Sequence, residues 1–169
     1  MASGDVKEKF GTATAFTKTN ANLATSATAG WMSNAIDNSA NLYSDALVTI
    51  ELAAVNTAPA NSKVIYLYAF ALIDTSGSAY TSTGSATPSG SEGTLTFPDV
   101  TVNPLPMPRL GSVAYPIQNT AINAGPFSVA ACFNGVLPPK WGVAMINHSG
   151  MTLNVTNIKY IEEYNTVAP

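Results

Sequence analysis

The chain has 169 residues, enough for one domain with a core of its own, and only 10% of them are charged, against about 25% in an average soluble protein. A net charge of −3 and a single arginine, Arg109, exclude the basic surface that a nucleic-acid-binding protein needs. Because charge normally keeps a monomer apart from its neighbours, this composition predicts a surface that other subunits partly cover.

The sequence also predicts where the chain is made and used. Its longest apolar run, 64–73, is about half as long as a membrane-spanning helix, so we expect no membrane association. The N-terminus has no apolar stretch typical of a cleaved signal, which indicates synthesis in the cytoplasm without secretion. Cys132, the only cysteine, excludes an internal disulfide and has the apolar neighbours of a buried thiol.

The predicted elements in the first half of the chain are short strands. Residues 1–9 are charged and predict an extended N-terminal arm, and residues 10–169 are predicted to form one domain. The alternation in 46–55 predicts a half-buried strand, and the aromatic and β-branched run 64–73 predicts a central one. Weaker strand predictions cover 10–16 and 31–36, with a loop or strand edge at 20–30 between them.

Two irregular segments follow in the sequence. Residues 74–93 are rich in Ser, Thr and Gly, and they predict an exposed, mobile loop because they offer little apolar surface to bury. Residues 103–110 carry Pro104, Pro106 and Pro108 and must be extended, since proline cannot donate to a strand ladder. The remaining strand predictions are 94–97, 100–102, 113–117, 127–133, 141–146 and 153–164.

The segment 135–153 predicts a strand, a turn and the start of another strand. Pro138 and Pro139 hold the chain extended before the strand, which begins at Trp141. Its two faces alternate without charge, so we expect protein on both sides. Residues Asn147 to Gly150 supply the small polar residues and the glycine of a tight turn.

This spacing of strands and turns predicts the fold class. About 8–10 short antiparallel strands with hardly a convincing helix indicate an all-β protein, either a β-sandwich or a jelly roll.

The sequence contains no recognisable catalytic, cofactor or metal site. His148 is the only histidine and lies in a predicted turn, so neither a serine nor a cysteine nucleophile has an obvious base. Zinc ligands at a characteristic spacing are missing. Glu162 and Glu163 are adjacent and point to opposite faces of a strand, which excludes a glycosidase-type pair. We predict turn-capping roles for the aspartates Asp37, Asp45 and Asp74.

Aromatic side chains leave one alternative open, a platform for stacking sugars. We interpret the alternating run Tyr66, Tyr68 and Phe70 as core or sheet packing. The residues considered for such a platform are Trp31, Tyr66, Tyr68, Tyr80, Tyr115 and Trp141.

Two stretches resemble a known group of proteins. The segment Gly-Val-Leu-Pro-Pro-Lys-Trp-Gly-Val-Ala-Met-Ile-Asn-His-Ser-Gly-Met-Thr-Leu at 135–153, with Asp-Asn-Ser-Ala-Asn-Leu-Tyr-Ser-Asp-Ala-Leu-Val-Thr-Ile at 37–50, is similar to small β-rich structural proteins of tailed bacteriophages. A Leu-Pro-Pro motif, a short apolar strand, an Asn-x-(Ser/Thr)-Gly turn and a final Tyr-containing strand recur in that group. The likeness covers about half of the chain, and its motifs are structural.

The resemblance implies a virion protein that is not an enzyme and needs no cofactor, and within that class a capsid decoration or cement protein. Its partners would be the major capsid protein shell and further copies of itself, as a dimer or trimer, with no nucleic acid and no membrane. The residues expected to contact partners are Val6, Lys7, Phe10, Pro104, Pro106, Pro108 and Arg109. The expected structural anchors are Pro138, Pro139, Trp141, Asn147 and Gly150. The alternative is a tail or receptor-binding protein that holds host carbohydrate.

Overall fold

The computed structural model describes residues 4–19, 22–41, 43–60, 63–73, 80–100 and 105–167, without the side chain at 156. It is a β-sandwich of two antiparallel sheets, as the sequence predicts. In chain order the strands are β1 (Val6–Phe10), β2 (Thr14–Ala15), β3 (Asn22–Leu23), β4 (Ala29–Met32), β5 (Ile36–Asp37), β6 (Asp45–Leu52), β7 (Val64–Leu72), β8 (Gly93–Thr96), β9 (Arg109–Ala114), β10 (Ile122–Ser128), β11 (Lys140–His148) and β12 (Leu153–Val167). A short 3-10 helix, Ala130–Phe133, joins β10 to β11. No helix in the described part of the chain has the length and hydrophobicity to cross a membrane.

The first sheet is built around β12. Its order is β1-β12-β6-β10, and the two-residue strands β2 and β3 also pair with β12. The prediction of strand at 153–164 is therefore confirmed and extended to Val167. Ile158 and Tyr160 point into the core, as every second residue of a strand must, while Lys159 points outwards and forms an ion pair with Glu51.

The second sheet has the order β8-β4-β11-β7-β9, with β5 pairing with β11. The expectation that β11 is covered on both faces is confirmed. Trp141, Val143 and Met145 pack between the two sheets, and Ala144 and Ile146 pack on the opposite face. The predicted central strand, β7, has hydrogen-bonded neighbours on both sides and is largely buried.

A second apolar cluster lies on the outer face of the second sheet. Phe70, Leu95, Phe97, Met107 and Ile146 form its centre. Described residues from the segments on either side of β8, namely Ala86, Val100, Leu105 and Met107, pack on this cluster on the side away from the first sheet. The molecule therefore has three layers: two sheets and a covering segment.

The prediction of an exposed loop at 74–93 is wrong for Thr81 and Thr83, although other residues of 80–93, such as Tyr80, are exposed. Residues 74–79 lie outside the described chain. Thr81 and Thr83 are 8% and 0% exposed. The Ala71 N–H donates to Thr81 Oγ1 at 3.1 Å, and Thr83 Oγ1 donates to the Thr96 carbonyl at 2.7 Å. Polar side chains that bind backbone groups can be buried without an apolar surface of their own, so composition alone was a poor guide here.

The bounds of three predicted strands and the predicted number of strands also differ from the structure. The strand predicted at 127–133 is β10 followed by the 3-10 helix, and the strand predicted at 113–117 begins earlier, at Arg109, which the sequence placed in the proline segment. Twelve strands are described instead of 8–10, because three of them have only two residues. Of the predicted strand 100–102, Val100 is outside any strand and the rest is not described.

Residues 6–9 do not form a separate arm. They pair, together with Phe10, with the end of β12, in a register that runs from Val6 opposite Val167 to Phe10 opposite Glu163. β6 pairs with β12 only as far as Asp45, which lies opposite Glu163. Beyond that residue, β1 and β12 pair with each other as a two-stranded ribbon. We call residues 6–10 and 163–167 the terminal ribbon.

Candidate functional site

The structural anchors occupy positions around β11. Trp141 is fully buried, and its ring meets Phe16 and Tyr160 edge to face with centroids 5.9 and 5.4 Å away. Pro138 is buried, while Pro139 is exposed and its carbonyl accepts a hydrogen bond from the Asn38 N–H at 2.7 Å. Gly150 has φ 81° and lies against Ala60, so a side chain there would be strained.

Asn147 is the polar centre of the turn after β11. Its side chain is wholly buried, and Nδ2 donates to the carbonyls of Leu23 and Met151 at 2.9 and 2.7 Å. Its Oδ1 accepts from the Ser149 N–H and Oγ at 3.0 and 2.6 Å. One side chain thus joins β3, the turn and Met151, which precedes β12.

His148 and Cys132, the two side chains considered for catalysis, lie in a strand and in the short 3-10 helix. His148 ends β11 opposite Val64. Burial, with a smaller effect of Asp45, raises the pKa of the Cys132 thiol to about 11, so it stays protonated at neutral pH. Within the described residues, no three His, Cys, Asp or Glu side chains are placed to hold a metal ion.

Two predicted capping aspartates do cap turns. Asp37 Oδ1 accepts hydrogen bonds from the Ser39 N–H and Oγ at 2.8 and 2.6 Å, and these bonds lower the Asp37 pKa. Asp45, at the start of β6, binds the end of the neighbouring strand β10 and the turn that follows it, where Oδ2 accepts from Ser128 Oγ at 2.5 Å and Oδ1 from the Ala130 N–H at 2.8 Å. Asp74 lies outside the described residues.

The residues expected to contact partners fall into two groups. Val6, Lys7 and Phe10 lie together on the terminal ribbon of the first sheet. Pro106, Pro108 and Arg109 lie at the second sheet, beside a groove, and Pro104 is outside the described residues. The structure therefore separates the two candidate contact regions.

The groove beside Arg109 has a volume of about 510 Å³ and is lined by Tyr66, Tyr68, Val100 and 105–109. The Arg109 guanidinium carbon lies 4.3 Å from the centre of the Tyr66 ring. Burial raises the pKa of Tyr68, against a smaller opposing effect of Arg109. Strand alternation correctly predicts that Tyr66, Tyr68 and Phe70 share a face. The contact between Tyr66 and Arg109 could not be predicted from alternation, because the two residues lie on different strands.

The other candidates for a sugar platform are mostly unavailable. Trp31, Tyr115 and Trp141 are 6%, 0% and 0% exposed. Tyr80 is 48% exposed and contacts Phe133, with ring centroids 6.2 Å apart. Tyr80 therefore offers an exposed ring for stacking, whereas one face of the Tyr66 ring is covered by Arg109.

The terminal ribbon exposes three apolar side chains to solvent. Val6, Phe10 and Val167 are 70%, 55% and 63% exposed, and strand alternation places them on its outer face. Glu8 and Glu163 share that face. Partial burial, followed by the charges of Glu8 and Asp45, raises the pKa of Glu163.

This raised pKa predicts a pH-dependent effect of Glu163→Gln. A carboxyl group whose pKa is higher in the folded than in the unfolded state loses stabilisation as pH rises from its usual value near 4.5 through the raised value. Glu163→Gln should therefore raise Tm at pH 7 relative to the native protein, and the difference should shrink towards zero below about pH 4. Thermal unfolding at both pH values measures it, with Glu162→Gln on the opposite face of β12 as control. An unchanged or lower Tm at pH 7 would contradict the prediction.

A smaller pocket lies between the sheets at the far end of β12. Its volume is about 210 Å³. Leu23, Trp31, Met145 and Val155 are among its lining residues, and the charged member of the described lining is Lys18. The lining residues come from β3, β4, β8, β11, β12 and the loops beside β3, so no local sequence pattern reveals the pocket.

Trp31 is fixed in this pocket by Glu92. The indole Nε1–H donates to Glu92 Oε1 at 2.7 Å, and Thr19 donates to the same carboxylate through its N–H and its hydroxyl. These bonds lower the pKa of Glu92. Burial lowers the pKa of Lys18, and Glu92 partly offsets that effect. The indole ring is thus held as one wall of a preformed pocket.

Comparison of the chain with protein-family models, curated proteins and solved structures finds no match.

Proposed function

We propose that the chain is a structural virion protein of a tailed bacteriophage: a capsid decoration or cement protein that forms a homo-oligomer and binds the outer surface of the major capsid protein shell. The observation that carries the proposal is the terminal ribbon, where Val6, Phe10 and Val167 expose apolar side chains on a two-stranded projection. Apolar groups clustered at an exposed strand pair are typical of an interaction site.

The surface composition supports the same function. Only 10% of the residues are charged, and Thr, Ser, Asn and Ala replace the missing charges. Such a surface suits repeated subunit contacts, in which charged residues are depleted at the interface centre. The segment 135–153, on which the resemblance rests, includes β11, the Asn147 turn and the first residue of β12.

Shell binding tests the proposal. The purified protein should co-sediment with capsids that lack it, saturate at a fixed number of copies and raise the temperature at which the capsids come apart. Val6→Ser with Val167→Ser, which removes the apolar pair at the ribbon tip, should weaken this binding by at least about tenfold, since burying two such side chains is worth several kcal/mol. Ile117→Ser, at a residue 58% exposed elsewhere, is the matched control. A protein that binds no capsid would end the proposal.

The second candidate function is binding of host carbohydrate by a tail protein, and the groove beside Arg109 favours it. The Arg109 guanidinium, which lies over the Tyr66 ring and lines the groove, suits an ion pair with the carboxylate of an acidic sugar. Trp141, fully buried, cannot take part. A glycan-array signal that Arg109→Ala abolishes and Lys63→Ala leaves intact would support this function over shell binding.

A further inference from the structure

The terminal ribbon presents one aromatic side chain as a knob. Phe10 is 55% exposed and lies on the outer face, opposite Glu163 and two positions from Glu8. Its immediate surroundings on that face are therefore acidic.

The pocket beside Trp31 has the size of one aromatic ring. At about 210 Å³ it exceeds the cavity of about 150 Å³ that binds benzene, and it falls short of the 300 Å³ or more typical of sites for larger ligands. Its apolar lining includes Leu23, Met145 and Val155, and Lys18 is at the rim. An apolar ring matches this pocket in size. Lys18, which also interacts with Glu92, supplies the positive charge at the rim that an accompanying carboxylate can approach.

Phe10 cannot reach the pocket of its own chain. Along β12, Phe10 lies opposite Glu163, whereas Asn22, at the pocket, lies opposite Asn154. That part of the strand spans about 30 Å at roughly 3.3 Å per residue. The knob and the pocket therefore lie at opposite ends of the same sheet.

The simplest alternative contact, β1 pairing with β1 of a second copy, is disfavoured by charge. A symmetric antiparallel pair centred on Glu8 would place Glu8 opposite Glu8 and Lys7 opposite Lys9. Lysines on an edge strand commonly prevent this kind of pairing.

We propose that Phe10 of one copy inserts into the Trp31 pocket of a second copy, with Glu8 and Glu163 facing Lys18. This inference rests on the homo-oligomer of the proposed function and specifies its contact. Because knob and pocket are different surfaces, the contact is heterologous and repeats from copy to copy until a ring closes.

Complementation between two variants tests the contact by sedimentation velocity. Phe10→Ala removes the knob, and Ala24→Phe fills the pocket from an exposed lining position. Each variant alone should be monomeric, with association at least about 30-fold weaker than in the native protein, as for a buried aromatic hot spot. Mixed in equal amounts, they should form a dimer and nothing larger, because one intact knob and one intact pocket remain.

The indole resonances identify where the contact forms. With labelled Phe10→Ala protein, adding unlabelled Ala24→Phe protein should shift the Nε1–H signal of Trp31 and leave that of the buried Trp141 in place. Lys18→Glu in the labelled protein should weaken the shift by about tenfold. Ile117→Ala and Ala121→Phe, at exposed sites away from both surfaces, are controls for the knob and the pocket changes.

Two outcomes overturn the inference. One is an oligomer of the native protein that still forms in the Phe10→Ala and Ala24→Phe variants. This outcome would refute the proposed contact but would not bear on binding to the capsid shell. The other is a native protein that is monomeric at every concentration, in which case the capsid co-sedimentation experiment decides the proposed function separately.

Discussion

Asn147→Ala should lower the free energy of unfolding by about 4 kcal/mol, a large fraction of the 5–15 kcal/mol typical of a single domain. The change removes two donors and one acceptor from a wholly buried site. The carbonyls of Leu23 and Met151 and the N–H of Ser149 would then lack these partners, and each buried polar group left without a hydrogen bond costs about 1–3 kcal/mol.

Urea unfolding measures this effect, with Asn123→Ala at an exposed position of β10 as the matched control. The control should change the free energy of unfolding by less than about 0.5 kcal/mol. Asn147→Asp keeps the acceptor and loses the donor, so it should be destabilised as well. A loss below about 1 kcal/mol for Asn147→Ala would show that the turn depends little on this side chain.

Gly142→Ala should cost about 3 kcal/mol, because there is no room for one methyl group in the middle of β11. A Cβ at this position would lie 2.2 Å from Phe70 Cζ and 2.8 Å from Ser33 Oγ. Phe70 is fully buried in the outer cluster, so its ring cannot move into solvent. Overpacking of a core in this way typically costs 1–3 kcal/mol.

Gly93→Ala is the control for this change, since a Cβ added there, at the start of β8, would have no atom within 4 Å among the described residues. It should be neutral or slightly stabilising, because alanine restricts the unfolded chain. Adding Phe70→Leu to Gly142→Ala should recover part of the loss if the ring is the obstacle. Equal stability of the Gly142 and Gly93 variants would refute the packing argument.

The strands whose apolar residues follow a clear local pattern are predicted well from the sequence. In β6, strict alternation predicts a half-buried strand, and Ala46, Val48, Ile50 and Leu52, which share one face, are all buried. In β11, an uninterrupted apolar run indicated cover on both sides, and both faces are packed. Period-two patterns carry this information because one residue step changes the face.

The candidate surfaces were harder to predict, because they depend on pairs that are distant in sequence. Glu92 holds the indole of Trp31 across 61 residues, and Arg109 covers Tyr66 from the neighbouring strand. The charged start of the chain suggested an arm, yet Val6 to Phe10 form strand because the end of β12 extends past β6 and offers its edge. Contacts of this kind depend on the order of the strands in the sheets, which cannot be deduced from local composition.

The pairing of β1, β2 and β3 with β12 has a consequence for how the chain folds. Val6 lies opposite Val167, and Leu23 lies opposite Leu153, so the earliest strands find their partners only in the last one. Each such pairing closes a loop of more than a hundred residues, whose entropy is lost before the contact forms. A β-sandwich of this contact order folds slowly, and on the ribosome its first sheet waits for the final strand to emerge.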